Sequence, residues 1–174
     1  AFDADMVTGG KVIAGNLPEK TRFTTLDGIA RELSSRELMI CNEKEGMCIA
    51  GVFGGSGSGV TEKTRNIFLE SAYFNPVSIR KTARRHGLNT DASFRFERGA
   101  DPNITAWALQ RAALMIRDIA GGKLHSGIID VYPQKIQNAT VNVAYKNIWR
   151  LIGKEIPADI IKNILGHICI SIIS

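Results

Sequence analysis

The sequence predicts an α+β fold, and three observations lead to this class. Short apolar runs separated by turn residues occupy the chain as far as residue 74, a pattern typical of strands. Two longer segments, 75–87 and 101–122, carry the start and stop signals of helices. Beyond residue 140 a strand-like run and two short helical segments predict the start of a small helical domain.

Composition and charge narrow the class of protein. The 174 residues are 44% hydrophobic and 22% charged, which is ordinary for one globular domain, or for one domain and part of another. Three cysteines without metal-ligand spacing favour reduced thiols and a cytoplasmic protein. No apolar run approaches the roughly 20 residues of a membrane span, and no signal peptide is visible. The net charge of +5 permits a polyanionic partner.

The first half of the chain is predicted to consist of short strands. Their apolar runs lie at residues 11–14, 22–26, 38–41 and 47–53. The last two runs flank a polar tip at residues 42–46, so we expect them to form a hairpin.

A glycine-rich run, residues 51–59, follows these strands. Five glycines in nine residues exclude a regular element, since an interior glycine costs about 0.5–1 kcal/mol. The run lacks the Lys-Ser/Thr ending of a phosphate-binding loop and the third glycine of a dinucleotide fingerprint. Close approach of the backbone to a ligand and a mobile loop both remain open. The strand-like run 66–74 carries one acid, Glu70, and we predict that it lines a compact pocket with the glycines.

A basic helix is predicted at residues 76–87, because Asn75 is a favoured N-cap and Gly87 a favoured stop. Its surface carries four cations with no acid between them. They are Arg80, Lys81, Arg84 and Arg85. A solvated surface and a contact with phosphate groups are the two interpretations.

Three further elements complete the predicted first domain. Residues 92–96 alternate small or apolar with polar side chains, which predicts a strand. A long helix at 101–121 is expected to turn an apolar stripe towards the core, and a closing strand is expected at 128–132. The stripe consists of Ile104, Trp107, Ala108, Ala112, Met115 and Ile119.

These elements predict two domains. The first occupies residues 1–133, a linker covers 134–140, and the beginning of a second domain occupies 141–174. In the second domain we expect a strand at 141–143 followed by two short helices. The abrupt start without Met favours a piece of a larger protein.

Six motifs resemble the editing domain of the bacterial phenylalanyl-tRNA synthetase beta subunit. They occur in the family's order with compatible spacing over residues 1–133, and residues 141–174 resemble the start of that subunit's next domain. The motifs are Leu26-Asp27-Gly28, Ala50-Gly51-Val52-Phe53-Gly54-Gly55, Leu69-Glu70-Ser71-Ala72, Arg84-Arg85-His86-Gly87-Leu88, Thr90-Asp91-Ala92-Ser93 and Arg95-Phe96-Glu97-Arg98-Gly99-Ala100-Asp101-Pro102.

The resemblance implies mixed β-sandwich-like sheets flanked by helices, and a proofreading function. Such a domain hydrolyses tyrosyl-tRNA(Phe), the mischarged product of the synthetase. The implied partners are the acceptor end of tRNA(Phe), the tyrosine moiety, and the alpha subunit of the full heterotetramer. No cofactor is expected in this segment, whereas ATP and magnesium belong to the full synthetase. The family usually has a pocket histidine just before the segment that starts at Ala1, so an isolated fragment is expected to have an incomplete pocket.

The resemblance also assigns substrate-binding residues. The glutamate that recognises tyrosine corresponds to Glu70, and the family's small-residue pocket positions fall on Gly54, Thr90 and Ala92, to which we add the neighbouring Gly55. A buried carboxylate would accept a hydrogen bond from the tyrosine hydroxyl and would be left unpaired by phenylalanine. The alternative is a strand-end acid that pairs with an arginine such as Arg95.

The attacking group is not assigned to a side chain. The candidate nucleophiles by residue type are Ser71, Ser93 and Cys48, and none of the three histidines forms a triad motif. We hypothesise attack by a water molecule oriented by backbone amides and Thr90, with no metal. Two competing functions remain: a non-catalytic tRNA-docking module that uses the four cations, and a structural spacer.

Overall fold

The structure is a computed structural model that describes residues 1–173. It divides into two compact units, one spanning Ala1–Tyr132 and one that begins at Pro133. Antiparallel sheets and helices confirm the α+β class. Ser174, the last residue of the predicted 141–174 segment, lies outside the described residues.

Short antiparallel strands build the first part of the fold. In chain order they are β1 (Phe2–Asp3), β2 (Ile13–Asn16), β3 (Arg22–Thr24), β4 (Ala30–Glu32), β5 (Leu38–Cys41), β6 (Gly46–Ile49), β7 (Phe53–Gly54) and β8 (Ile67–Phe68). One sheet has the strand order β2-β5-β6-β7, and two smaller sheets pair β1 with β8 and β3 with β4. The predicted hairpin is therefore confirmed as β5 and β6.

Helices follow the strands. They are α1 (Pro76–His86), α2 (Asp91–Phe96), α3 (Thr105–Ala120), α4 (Tyr145–Ile152) and α5 (Ala158–His167), with short 3-10 turns at Ala4–Met6, Thr8–Gly10 and Pro102–Ile104. The Asn75 side chain accepts hydrogen bonds from the backbone of Val77 and Ser78, and Gly87 ends α1 in the left-handed conformation. Both predicted boundaries of α1 are thus confirmed, for the predicted reason.

The core of the first unit lies between the larger sheet and α1. Leu33, Met39, Met47, Ile49 and Val52 are its most completely buried apolar side chains. Burying each such side chain stabilises the fold by about 1.5–3 kcal/mol, so this cluster holds the sheet against the helix.

Close contact between α1 and the β6–β7 turn depends on Gly51. This residue has φ +66°, and a Cβ there would lie 2.6 Å from Cδ2 of Phe74 and 2.8 Å from Cδ1 of Ile79. Phe74 in turn packs edge-on against Phe96 of α2, with ring centroids 5.0 Å apart. Glycine therefore brings the turn, α1 and α2 together.

A polar network ties the end of α1 to the strands. The Arg31 guanidinium donates to the carbonyl of His86 (2.8 Å), to Oγ1 of Thr25 (2.9 Å) and to Oδ2 of Asp27 (2.7 Å). Beside it, Nε2 of His86 lies 3.0 Å from Oε2 of the buried Glu37. These bonds fix the position from which the chain enters α2.

The strand predicted at residues 92–96 is wrong, because the segment forms α2. Thr90 accepts a hydrogen bond from the backbone of Ser93, and the Ser93 side chain accepts one from the backbone of Thr90. This reciprocal capping satisfies backbone donors that a strand would have to pair with a neighbouring strand. Alternation over five residues was too short a pattern to outweigh it.

Four further expectations differ from the structure, although the predicted long helix itself is confirmed as α3. Of the residues of α3, all of which the structure describes, none is buried, and Trp107 is 62% exposed rather than part of a core. Residues 128–132 and 141–143 are irregular, without a paired strand. In the run 66–74 the strand is limited to β8, and Glu70 follows it in irregular backbone.

Candidate functional site

Glu70 lies half-buried in the segment between β8 and α1. Burial raises the pKa of its carboxyl group. Among residues 1–173, no hydrogen bond or ion pair engages this carboxylate, so the alternative pairing with Arg95 is not found. Glu70 is therefore a partly desolvated acid that is free to accept a hydrogen bond.

Cys48 connects Glu70 to the glycine run. On β6 the side chains of Met47 and Ile49 are buried on one face of the sheet, so Cys48 points to the other. Cys48 is paired with Gly54 of β7, and directly opposed residues share a face. Burial, with a smaller contribution from the nearby Glu70 carboxylate, raises the pKa of Cys48 to about 12. Glu70, Cys48 and Gly54 consequently share one neighbourhood.

The two predicted site glycines have different surroundings. A Cβ on Gly54 would lie 2.9 Å from Cδ1 of Leu26, a side chain that is 55% exposed and can move aside. A Cβ on Gly55 would lie 2.7 Å from the backbone oxygen of Met47 and 2.6 Å from Cζ of Phe23. Gly54 thus leaves an opening under a mobile side chain, whereas packing alone accounts for Gly55.

Thr90 links α2 to the same turn. Its Oγ1 donates a 2.7 Å hydrogen bond to the carbonyl of Val52, two residues before Gly54. Since the same oxygen caps α2, the hydroxyl has its proton committed and holds position instead of acting as an acid. Ala92 lies in the first turn of α2 and is exposed.

The candidate nucleophiles differ in availability. A thiol whose pKa is about 12 is neutral at physiological pH, so Cys48 lacks the thiolate that attack requires. The Ser93 side chain is occupied by the cap and the residue is 2% exposed. Ser71 is half-buried next to Glu70 in the chain.

A cavity of about 170 Å³ borders Thr90. It is lined by Asn89, Thr90, Asp91, Ser93, Phe94 and Glu97. A second and more open cavity, of about 360 Å³, lies at the start of α3 and contains none of the predicted site residues. Sequence reasoning missed Leu26 and Phe94, which are apolar side chains exposed beside the site. Apolar residue type favours a core position, so the sequence carries no signal for this exposure.

The basic surface of α1 separates into two parts. Arg85 pairs with Glu37 (3.5 Å) and Glu19 (3.9 Å). Arg80, Lys81 and Arg84 are exposed, and within residues 1–173 they have no acidic partner; we call these three residues the α1 cation row. The cation row lies on the helix that leads into Thr90.

Metal-ligand clusters and membrane-spanning helices are both absent from the part of the chain that the structure describes. No three His, Cys, Asp or Glu side chains among residues 1–173 come together as possible metal ligands. Within the same residues, no helix has the length and apolar character that crossing a membrane requires.

Comparison with known proteins matches this chain to one family. The B3/4 domain family matches residues 1–121. The phenylalanine–tRNA ligase beta subunit of Bacteroides fragilis is 57% identical over 164 residues, which are 94% of this chain and 20% of that protein. The subunits of that name from Porphyromonas gingivalis and Yersinia pestis are 49% and 42% identical, over 99% and 97% of this chain and 21% of each relative. The chain thus spans about a fifth of the length of these relatives.

Proposed function

Because this chain belongs to the B3/4 domain family, we propose that it is the editing domain of a phenylalanyl-tRNA synthetase beta subunit and hydrolyses tyrosyl-tRNA(Phe). Its relatives' name supports the synthetase, and the unpaired, half-buried Glu70 supports the editing role. Its partners are then the acceptor end of tRNA(Phe), the tyrosine moiety and the alpha subunit. ATP and magnesium serve the rest of the synthetase.

Recognition of tyrosine follows from the state of Glu70. The tyrosine hydroxyl donates a hydrogen bond to the carboxylate, while phenylalanine brings no donor and leaves the desolvated group unpaired. An unpaired buried group costs about 1–3 kcal/mol, or roughly 5- to 150-fold in discrimination. A pocket that holds phenylalanine cannot exclude tyrosine nearly as well, so a second site with this inverted preference is useful.

Hydrolysis then requires only a positioned water molecule. The water oxygen attacks the ester carbonyl carbon, the bond from that carbon to the ribose oxygen breaks, and a proton passes to the ribose oxygen. The neutral Cys48 thiol favours water over a covalent intermediate. Thr90 shapes the site through its bonds to Val52 and Ser93, and backbone amides of the glycine turn orient the water.

Substitution of Glu70 in the complete synthetase tests this function. We expect Glu70→Ala to reduce clearance of tyrosyl-tRNA(Phe) at least several-fold without lowering phenylalanine charging. Glu70→Gln keeps the side-chain volume but is a weaker hydrogen-bond acceptor. Its clearance rate should therefore lie between those of the wild type and Glu70→Ala. Unchanged clearance by Glu70→Ala would refute the role of this residue.

A second candidate function is a non-catalytic tRNA-docking module. The observation that favours it is the α1 cation row, which lacks acidic partners within residues 1–173. Docking alone predicts that substitutions of Arg80 and Arg84 weaken tRNA binding while tyrosyl-tRNA clearance is absent in the wild type. If the domain both edits and docks tRNA, the wild type should bind tRNA through these cations and should also clear tyrosyl-tRNA.

A further inference from the structure

The cavity beside Thr90 contains an exposed aromatic side chain that the proposed function does not use. Phe94 lies on α2, lines the cavity and is 57% exposed. Single exposed apolar side chains are common on protein surfaces, so the ring is of interest because it lines a cavity.

One part of the Phe94 ring is already covered. The Arg98 guanidinium lies 3.5 Å from the ring centroid, and it is held there by bonds to the carbonyl of Phe94 and to Glu97. Arg98 does not border the cavity, so the guanidinium and the cavity lie against different parts of the ring. Arg98 thus holds the ring in place, and much of the side chain stays exposed.

Polar groups surround this surface. The Asn89 and Asp91 side chains border the cavity and form no hydrogen bond or ion pair with residues 1–173. Asn89 offers both donors and an acceptor, and Asp91 offers acceptors. The Asp91 and Glu97 carboxylates disfavour a phosphate group, while Asn89 and Asp91 suit a ligand that carries N–H and O–H groups.

We propose that this cavity binds the terminal adenosine of the aminoacylated tRNA, with the base stacked on Phe94. The proposal rests on the proposed editing function. About 170 Å³ is below the 300–1,000 Å³ of drug-sized pockets, so the cavity has room for one small planar group. Asn89 pairs with the base edge, as asparagine does with adenine elsewhere, and Asp91 accepts from the ribose hydroxyl or the exocyclic amine. Thr90 lines this cavity and is hydrogen-bonded to Val52, two residues before Gly54, which links the nucleoside contact to the glycine turn.

Two small esters separate the nucleoside contact from the amino-acid contact. O-tyrosyl-adenosine carries both groups, and tyrosine methyl ester lacks the nucleoside. We would measure kcat and KM for both with the complete synthetase, its synthetic site saturated with a non-hydrolysable phenylalanyl-adenylate analogue.

We expect Phe94→Ala to lower kcat/KM for O-tyrosyl-adenosine by about 5- to 150-fold, mainly through KM, because stacking on an aromatic side chain contributes about 1–3 kcal/mol per base. Hydrolysis of tyrosine methyl ester should be unchanged. Phe94→Tyr should preserve the activity on both esters, whereas Phe94→Leu should lose activity on O-tyrosyl-adenosine and keep it on tyrosine methyl ester. Trp107→Ala removes an equally exposed aromatic ring outside the cavity and serves as the matched control.

Equal losses on the two esters, no loss on either, or full recovery in Phe94→Leu would overturn the stacking proposal while leaving editing intact. If the wild type hydrolyses neither ester, the proposed function itself fails. In that case the affinity for a non-hydrolysable tyrosyl-adenosine amide tests the stacking proposal. Weaker binding by Phe94→Ala than by the wild type supports stacking, and equal binding overturns it.

Discussion

The Glu70 carboxylate is partly desolvated and receives no hydrogen bond from residues 1–173. Burial favours its neutral form, whereas the proposed recognition of tyrosine requires the ionised form as acceptor. A rise in pH is therefore expected to lower the contribution of Glu70 to stability and to increase its ability to bind tyrosine. The pKa of Glu70 is higher in the folded than in the unfolded protein. The group therefore contributes stability below its pKa in the unfolded chain, and this contribution is lost as the pH rises through its pKa in the folded protein.

The rate of tyrosyl-tRNA clearance is expected to depend on the protonation of Glu70, and so to show an acidic limb in its pH profile. We predict that the clearance rate falls as pH decreases through the raised pKa of Glu70, because protonation removes the acceptor. A pH profile of clearance by the complete synthetase measures this limb. In Glu70→Gln the limb should disappear, and a profile identical to that of the wild type would assign it to another group.

The two glycines of the turn provide a second test at this scale. We predict that Gly55→Ala lowers the free energy of unfolding of the first unit by about 1–3 kcal/mol, because the new methyl group meets the Met47 backbone oxygen. Gly54→Ala should cost less, since the exposed Leu26 side chain can rotate away. Chemical denaturation of the two variants measures the difference, and equal losses would contradict the distinction.

At the scale of elements, local capping signals were better guides than short periodic patterns. Asn75 and Gly87 located α1 because each satisfies backbone groups within the helix itself. The strand predicted at 92–96 and the one predicted at 128–132 failed because a strand exists only with a partner strand, which a local pattern does not identify. The apolar stripe of α3 failed likewise, because periodicity gives the face but not what covers it.

For the candidate site, the sequence predicted the family but not the contacts between distant residues. The resemblance to the synthetase beta subunit is confirmed by the family match and by the relatives' names. The assignments of Glu70, Gly54, Gly55, Thr90 and Ala92 as substrate-binding stay predictions. What the sequence could not supply was the set of contacts from distant segments, such as the bond from Thr90 to Val52, 38 residues apart.

Thr90 carries the link between α2 and the turn, so its removal is the test at the element scale. We predict that Thr90→Ala costs about 1–2 kcal/mol of stability, because it removes both the cap and the bond to Val52. Thr90→Ser keeps the hydroxyl group and should retain most of the wild-type stability. Hydrogen exchange of the α2 amides reports the local effect, and unchanged protection in Thr90→Ala would contradict this role.

At the scale of the whole molecule, charge is unevenly distributed. The α1 cation row lies on the same helix as Arg85, but Glu19 and Glu37 neutralise Arg85 alone. A row of unneutralised cations leading towards the site is suited to guide a phosphate chain. We therefore expect a nucleic acid to contact the cation row.

Salt dependence tests this distribution. We predict that Arg80→Ala/Arg84→Ala weakens tRNA(Phe) binding and reduces the slope of log K against log salt by about 0.7–0.9 per lost phosphate contact. The control Lys44→Ala/Lys63→Ala removes the same charge from exposed positions off α1. Equal changes in the two double variants would mean that net charge, and not the cation row, governs binding.

The exposed loop at residues 60–66 is spanned by β1. Phe2 pairs with Phe68 beyond the loop, the Asp3 amide donates to the carbonyl of Ser58 before it, and Thr64 donates to the Asp3 carboxylate. A protease that nicks this loop would therefore generate two fragments of the first unit whose new ends are both still fastened to the amino-terminal residues. We therefore expect the two fragments to remain associated after cleavage, because contacts to Phe2 and Asp3 are made from both sides of the cut.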